Sequence, residues 1–204
     1  MKLNEAYRYT RRYDIDRWFS KVKYMPEYEI HSDMTVDVYG DLYVPASYKQ
    51  LPFKINALYG NLRAEMQSNL STLVNMPNIV TGDFLVHQCK LTSLQGMPHS
   101  IGGYLAIEHN KIPSLHNIHK YIKSFGDHLT RDFSISCDFL PNLLGVFFIK
   151  GFNGFFIFQD NEAHKDYKRE YTAYKIINKN LKDGNIHQCQ EELIDAGFVE
   201  QAKI

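Results

Sequence analysis

The sequence predicts an α+β fold in which a short solenoid of stacked coils lies between an N-terminal helical cap and a C-terminal cap. Three observations predict it. Apolar residues recur about every 21 positions in the middle of the chain, a segment near the N-terminus has apolar residues at helical spacing, and two more helical segments close the chain. Such repetition is typical of solenoids, because one coil cannot bury its own apolar edges and must share a core with its neighbours.

Composition excludes several classes of protein. The chain has 204 residues, 44% of them hydrophobic and 23% charged, which is typical of a folded domain. Its 23 basic residues equal its 23 acidic ones, so the net charge does not favour nucleic acid as a partner. No membrane span or secretory signal is apparent, and the three cysteines lack the spacing of a disulfide framework or a zinc site. We therefore expect a cytoplasmic protein without membrane contact.

The repeat is clearest in residues 82–101 and 103–122, which carry apolar residues at equivalent positions 21 apart. Both segments fit L-x-L-x-x-N/C-x-L, with Cys89 and Asn110 at the Asn/Cys position. An earlier copy over 60–77 matches with one inserted residue, and a fainter one begins near residue 40. This pattern predicts a short leucine-rich-repeat-type solenoid over residues 34–142. A coincidental repeat in an ordinary α/β domain is the competing interpretation.

The pattern also predicts which side chains face outward. The L-x-L piece is a short strand whose two apolar residues point inward, and the Asn or Cys turns inward to satisfy backbone groups. The intervening residues should form two rows across the stacked strands, mixed in charge with an apolar centre, which suits a protein partner. The candidate partner-binding residues in these rows are Arg63, Leu85 and Ala106, and Glu65, His87 and Glu108.

Residues 82–103, GDFLVHQCKLTSLQGMPHSIGG, resemble a repeat of the leucine-rich-repeat-like proteins of tailed bacteriophages. The segments 35–44 and 177–204 resemble the start of the array and the C-terminus of that group, although the copy after Ser124 decays. The family's members are mostly of unknown function, so the resemblance predicts the fold better than it predicts an activity. It implies a phage-encoded, cytoplasmic protein without a known catalytic site.

The N-terminal cap is predicted over residues 1–33. Residues 14–24 should form a short helix with Asp14 as its N-cap. Its apolar face covers the first coil, since solenoid ends need covering. This face consists of Ile15, Trp18, Phe19 and Val22.

The C-terminal cap is predicted over residues 143–204. Its first part, 143–159, has the pattern of two strands joined by a tight Asn153-Gly154 turn, a β-hairpin rich in phenylalanine. That hairpin either closes the end of the solenoid or forms a partner-binding surface, with Phe152 and Phe155 as candidate contacts.

Two helices are predicted to complete this cap. The first spans 162–182 and ends at Gly184, which suits a left-handed C-terminal position. The second spans 186–196, with Asn185 and Gln188 as a capping pair.

No catalytic template is present: the sequence contains no GxSxG, Walker A, GxGxxG or HExxH motif. We predict no catalytic residue, no metal site and no cofactor, and Cys89 is interpreted as a structural residue of the repeat. The expected function is therefore non-enzymatic binding of a host or phage protein. If the chain is phage-encoded, inhibition of a host defence system in the host cytoplasm is one concrete form.

Two alternatives remain open at this stage. One is an enzyme or nucleic-acid-processing protein with a site at the junction of the solenoid and the C-terminal region, where a polar cluster comprises His128, Arg131, Asp132 and Asp138. The other is a self-assembling structural protein whose interface is the Phe-rich hairpin.

Overall fold

The computed structural model describes residues 11–64, 68–126, 135–136, 140–155 and 168–204. In these ranges the chain coils into a β-solenoid that builds two sheets, with helices at both ends. The first sheet contains β1 (Glu27–Ile30), β2 (Val36–Tyr39), β4 (Ile55–Tyr59), β6 (Ile79–Val80), β8 (Ser100–Ile101) and β10 (Ser124–Phe125), in that spatial order. The second contains β3 (Leu42–Val44), β5 (Leu62–Ala64), β7 (Phe84–Leu85), β9 (Leu105–Ala106) and β11 (Ile135–Ser136), again in order.

The predicted solenoid is confirmed, because equivalent residues of successive coils are neighbours. Phe84 pairs with Leu105 and Leu85 with Ala106 in parallel register, and the amide of Val86 donates to the carbonyl of Ala106 at 2.9 Å. The inward residues of these strands, including Phe84 and Leu105, are fully buried. The coils therefore share one continuous core, as the 21-residue period requires.

A second strand in each coil, which contributes to the first sheet, was not predicted. The repeat pattern predicted one strand in each coil, the L-x-L piece, whereas residues 79–80, 100–101 and 124–125 pair as the further strands β6, β8 and β10. Val80, Ile101 and Phe125 point into the core from these strands and are at most 2% exposed. Because a strand of two residues shows no alternation, sequence periodicity could not distinguish it from a turn.

Side-chain ladders hold the corner between the two strands of each coil. The amide of Asn61 donates to Asp41 Oδ1 at 2.9 Å, and the amide of Asp83 donates to Asn61 Oδ1 at 2.7 Å. Asp83 Oδ1 in turn accepts from the amide of Tyr104 at 2.8 Å. Each coil therefore satisfies a backbone N–H group of the next one at a position where the sheet cannot do so.

The N-terminal cap is a helix followed by a strand. Helix α1 spans Arg12–Phe19, so it starts and ends earlier than predicted, and its N-cap is Arg11 rather than Asp14. The ring of Trp18 packs edge-on against Phe53 at 5.2 Å, and Phe19 stacks on Tyr28 at 4.0 Å. After the helix, β1 pairs antiparallel with β2 and becomes the edge of the first sheet. The apolar face of the helix thus covers the first coil.

The predicted hairpin at 143–159 is wrong where the structure describes it. Leu143–Phe148 forms a 3₁₀ helix, and Lys150 forms a parallel bridge with Ser124 of the last coil. Of the Asn153-Gly154 pair only Gly154 has a positive φ, 142°, so the two-residue turn that needs both does not form. Residues 156–159 lie outside the described ranges. Short apolar runs cannot be assigned to strand or helix by pattern alone. In this segment the apolar side chains of the 3₁₀ helix are buried, and the chain then pairs with the last coil at Lys150.

The two closing helices are confirmed as α3 (Lys168–Asp183) and α4 (Ile186–Asp195), with residues 162–167 outside the described ranges. Gly184 has φ 63° at the end of α3. Asn185 Oδ1 accepts from the amide of Gln188 at 3.1 Å, and Asn185 Nδ2 donates to Gln188 Oε1 at 3.0 Å. A further short helix, α2 (Ile118–Tyr121), lies against the 3₁₀ helix. No helix in the described ranges combines the length and apolarity that crossing a membrane requires.

Candidate partner-binding surfaces

The second sheet brings three of the predicted residues into one row. Arg63 pairs with Leu85, and Leu85 pairs with Ala106, so their side chains are cross-strand neighbours. Arg63 is exposed and Leu85 is half-buried, but Ala106 is only 2% exposed. The expectation that Ala106 contacts a partner is therefore wrong for this structure. Of the predicted residues in this row, Arg63 and Leu85 are accessible, and Tyr43 of β3, which pairs with Arg63, is half-buried beside them.

The second predicted row is only partly described, since Glu65 lies outside the described ranges. His87 and Glu108 lie on adjacent coils, joined by the amide of Gln88, which donates to the carbonyl of Glu108 at 2.9 Å. Both residues are half-buried. Within the described part of the chain, neither His87 Nδ1 nor Glu108 Oε2 has a hydrogen-bond partner. They are therefore not hydrogen-bonded to each other as an acid–base pair through these atoms.

The two predicted phenylalanine contacts lie against the closing helices. Phe155 is 3% exposed and stacks on Tyr174 of α3 at 4.7 Å, so it belongs to the core and is not available to a partner. Phe152 is half-buried and packs edge-on against Phe155 at 5.5 Å. The side chain of Asn178 fixes this arrangement, because it accepts from the amide of Phe155 at 2.8 Å and donates to its carbonyl at 2.9 Å.

The outer face of the first sheet carries an aromatic pair that the sequence analysis missed. Tyr39 and Tyr59 lie side by side on β2 and β4, with ring centroids 5.1 Å apart and planes 6° apart. They are 43% and 47% exposed, and Ile79 on the next strand is 46% exposed. A signal was present, because the alternating runs VDVYG and NALYG both end in Tyr-Gly, 20 residues apart. The predicted repeat consists of inward apolar positions, whereas these two tyrosines face outward.

Acidic residues border this aromatic pair. In the antiparallel register of β1 and β2, Glu27 lies opposite Tyr39 and Glu29 lies opposite Asp37. Partial burial, together with the nearby carboxylates of Glu29 and Asp37, raises the pKa of Tyr39. Its hydroxyl group therefore stays protonated at neutral pH. We refer to Glu27, Glu29, Asp37, Tyr39 and Tyr59 as the tyrosine–acid face.

Asp37 is held in place by its neighbours. Its Oδ1 accepts from Asn56 Nδ2 at 3.0 Å and from the amide of Ala57 at 3.1 Å. Its Oδ2 lies 3.3 Å from Nε2 of His31. Glu27 and Glu29 are exposed by contrast, so their carboxylates are accessible to a ligand.

Cys89 occupies the structural position that the repeat predicted. It is buried, and its Sγ donates to the carbonyl of His87 at 3.5 Å. At the equivalent position one coil later, Asn110 Oδ1 accepts from the amide of Leu91 at 3.0 Å. Burial raises the pKa of the Cys89 thiol to about 11, so the thiolate is scarce at neutral pH.

Thiol labelling checks this assignment. Burial also raises the pKa of Cys189, to about 12, with a contribution from Glu192. In a Cys137→Ser background, we expect both remaining thiols of the folded chain to react at pH 8 about a hundredfold more slowly than a free thiol. Adding guanidinium chloride should expose two equivalents, counted with an aromatic disulfide reagent. Fast labelling of either thiol without denaturant would contradict the structural assignment.

The described ranges contain no group of three or more His, Cys, Asp and Glu residues that could hold a metal ion. The polar cluster of the enzymatic alternative, His128, Arg131, Asp132 and Asp138, lies outside the described ranges. The chain matches no protein-family model, no curated protein and no solved structure.

Proposed function

We propose that this chain is a non-enzymatic solenoid that binds another protein through the outer face of its first sheet. The observation that carries the proposal is the exposed row formed by Tyr39 and Tyr59, which are register partners on adjacent strands. Ile79, on the next strand, pairs with Ala57 and adds an exposed apolar side chain two residues away along the strands. Aromatic side chains are enriched in protein interfaces and dominate their energetics. Because backbone pairing fixes this row, binding orders few groups and loses little entropy.

The finer class that we propose is a leucine-rich-repeat type of solenoid. The Cys89 and Asn110 positions support it, since their inward polar groups hydrogen-bond the backbone of the coil as the repeat pattern requires. The resemblance to phage proteins supports a host bacterial protein as the partner, bound in the host cytoplasm. Inhibition of a defence system is one form that this binding would take.

The second sheet offers a matched comparison surface. Arg63 is exposed and Leu85 is half-buried there, so the row combines one charge with one apolar side chain. Tyr43 of β3 also belongs to this row, since it pairs with Arg63, and it packs edge-on against the exposed Tyr24 at 5.4 Å. In contrast to the first sheet, however, the row places no two tyrosines on adjacent strands among its described positions. We therefore place the main contact on the first sheet, and the Arg63 row serves as the control.

The test is binding of the purified chain to the protein that co-purifies with it at physiological salt, once that protein is identified and prepared separately. Tyr39→Ala/Tyr59→Ala is expected to weaken the affinity at least about thirtyfold, because one interfacial aromatic residue is worth about 2 kcal/mol. Arg63→Ala/Leu85→Ala should change it less than about threefold. Equal affinity of the tyrosine variant and the unmodified chain, with both folded by circular dichroism, would refute this surface.

A further inference from the structure

We propose that the tyrosine–acid face recognises a basic segment of a partner protein, an extended peptide with Lys or Arg side chains. The inference rests on the proposed function and specifies the chemistry of the bound segment. Three features support it: the register of β1 and β2, the stacking of the two tyrosine rings and the spacing of the two rows of side chains.

The register of β1 and β2 favours a cationic ligand. Glu29 lies directly opposite Asp37, and like charges in directly opposed positions destabilise a strand pair. The Asp37 carboxylate is compensated by Asn56 and the amide of Ala57, with His31 also close by. Glu29 is exposed, and its carboxylate interacts with the hydroxyl group of Tyr39. A Lys or Arg side chain placed between Glu29 and Asp37 would turn this repulsion into two favourable interactions.

The tyrosine rings favour the same ligand. Because Tyr39 and Tyr59 stack on each other, the free face of Tyr39 is turned towards β1, where Glu27 is its register partner. A guanidinium or ammonium group between that face and the Glu27 carboxylate would interact with the ring quadrupole and with a full negative charge. The phosphates of a nucleic acid would be repelled by the same carboxylates.

The spacing of the two rows indicates the sequence of the ligand. The Glu27–Tyr39 row and the Glu29–Asp37 row are two residues apart along the strands, about 6.7 Å. An extended peptide that runs along the strands places alternate side chains on one side at the same spacing. Basic residues at positions i and i+2 therefore match both rows, whereas adjacent basic residues point to opposite sides.

The experiment titrates the full chain with synthetic peptides and follows the ring signals of Tyr39 and Tyr59 by nuclear magnetic resonance. An Arg-x-Arg peptide in a neutral Gly/Ser background is expected to bind at least threefold more tightly than its Arg-Arg isomer. It should bind at least tenfold more tightly than the Gln-x-Gln peptide, and its affinity should fall as salt is added.

Matched variants separate local charge from net charge. Glu27→Gln/Glu29→Gln should weaken the Arg-x-Arg affinity at least fivefold, while Glu191→Gln/Asp195→Asn removes two exposed carboxylates from α4 and should leave it unchanged. Tyr39→Phe keeps the ring and should retain binding, whereas Tyr39→Ala should lose it.

Three outcomes would overturn the inference: equal affinity for the Arg-x-Arg and Gln-x-Gln peptides, no effect of the Glu27/Glu29 variant, or binding of a neutral oligosaccharide in place of the peptide. The proposed function is judged separately. If the natural partner is lost from the tyrosine variant but kept by the Glu27/Glu29 variant, the binding surface stands and the basic specificity fails. If both variants keep the partner, the surface itself is refuted.

Discussion

Gly60→Ala is expected to destabilise the fold by about 3 kcal/mol. A Cβ at residue 60 would lie 2.4 Å from the carbonyl oxygen of Gly40, 2.5 Å from its carbonyl carbon and 2.9 Å from the amide nitrogen of Asp41. All three atoms belong to the backbone of the neighbouring coil. They cannot yield as a flexible side chain would, so the two coils must separate.

The surrounding hydrogen bonds make that separation costly. The amide of Gly40 donates to the carbonyl of Tyr59 at 3.1 Å, and the amide of Gly82 donates to the carbonyl of Gly60 at 3.0 Å. Moving the Gly60 corner away from Gly40 strains both bonds. The displacement would also disturb the stacked pair of Tyr39 and Tyr59, which immediately precede these glycines.

Thermal unfolding followed by circular dichroism measures the effect. We expect Gly60→Ala to lower the Tm by roughly 6–12 °C for a chain of this size. The control is Gly184→Ala, where no atom lies within 4 Å of the new Cβ and only the left-handed φ of 63° is strained. That change should cost about 1 kcal/mol. Equal losses of Tm in the two variants would show that close coil stacking at Gly60 does not limit stability.

These glycines illustrate what the sequence could predict. Gly60, Gly82 and Gly103 are the first residues of the three clearest copies of the repeat, and the spacing of these copies predicted the stacking of Phe84 on Leu105 that the structure contains. The reason for glycine there becomes visible only in three dimensions: a Cβ would meet the backbone of the previous coil, and at Gly82 and Gly103 also the Oδ1 atom of Asn61 or Asp83.

The segment at residues 143–155, in contrast to the two closing helices, could not be predicted in the same way. The Asn153-Gly154 dipeptide is a strong local turn signal, yet Asn178, more than 20 residues away, binds both backbone groups of Phe155. A long-range contact of this kind has no signature in a local pattern, and it overrides the turn propensity. The candidate site could not be predicted for another reason. Tyr39 and Tyr59 repeat as regularly as the glycines beside them, but they face outward. A repeat defined by buried apolar positions therefore does not contain them.

Asn110 is the second position at which we expect a large effect. Its Oδ1 accepts from the amide of Leu91 at 3.0 Å, and its Nδ2 donates to the carbonyls of Val86 and Ile107, both at 2.9 Å. Asn110→Ala removes the side-chain partner of all three backbone groups. An unsatisfied buried polar group costs about 1–3 kcal/mol, so the loss should be about 3 kcal/mol in total.

Asn69→Ala is the control, since Asn69 is exposed and accepts only from Lys90 Nζ at 2.7 Å among its described contacts. It should change stability by less than about 0.5 kcal/mol.

Asn110→Asp distinguishes the hydrogen bonds of Asn110 from its packing. The variant keeps the shape of the side chain but replaces the amide nitrogen, which donates to the carbonyls of Val86 and Ile107, by a carboxylate oxygen. Repulsion from these oxygens should raise the pKa of the new carboxyl group in the folded state above its unfolded value of about 3.9. The folded state then binds the proton more tightly, so the variant's deficit relative to the unmodified chain should grow as the pH rises from about 4 to 7.

The measurement is the difference in Tm between Asn110→Asp and the unmodified chain at pH 7 and at pH 5. We expect the larger difference at pH 7, where the ionised carboxylate must be buried against two carbonyl groups. At pH 5 protonation restores a donor, and part of the stability should return. If the difference is the same at both pH values, the side chain of residue 110 does not need to donate. The side chain at position 110 would then stabilise the coil by filling space rather than by satisfying the backbone carbonyls of Val86 and Ile107.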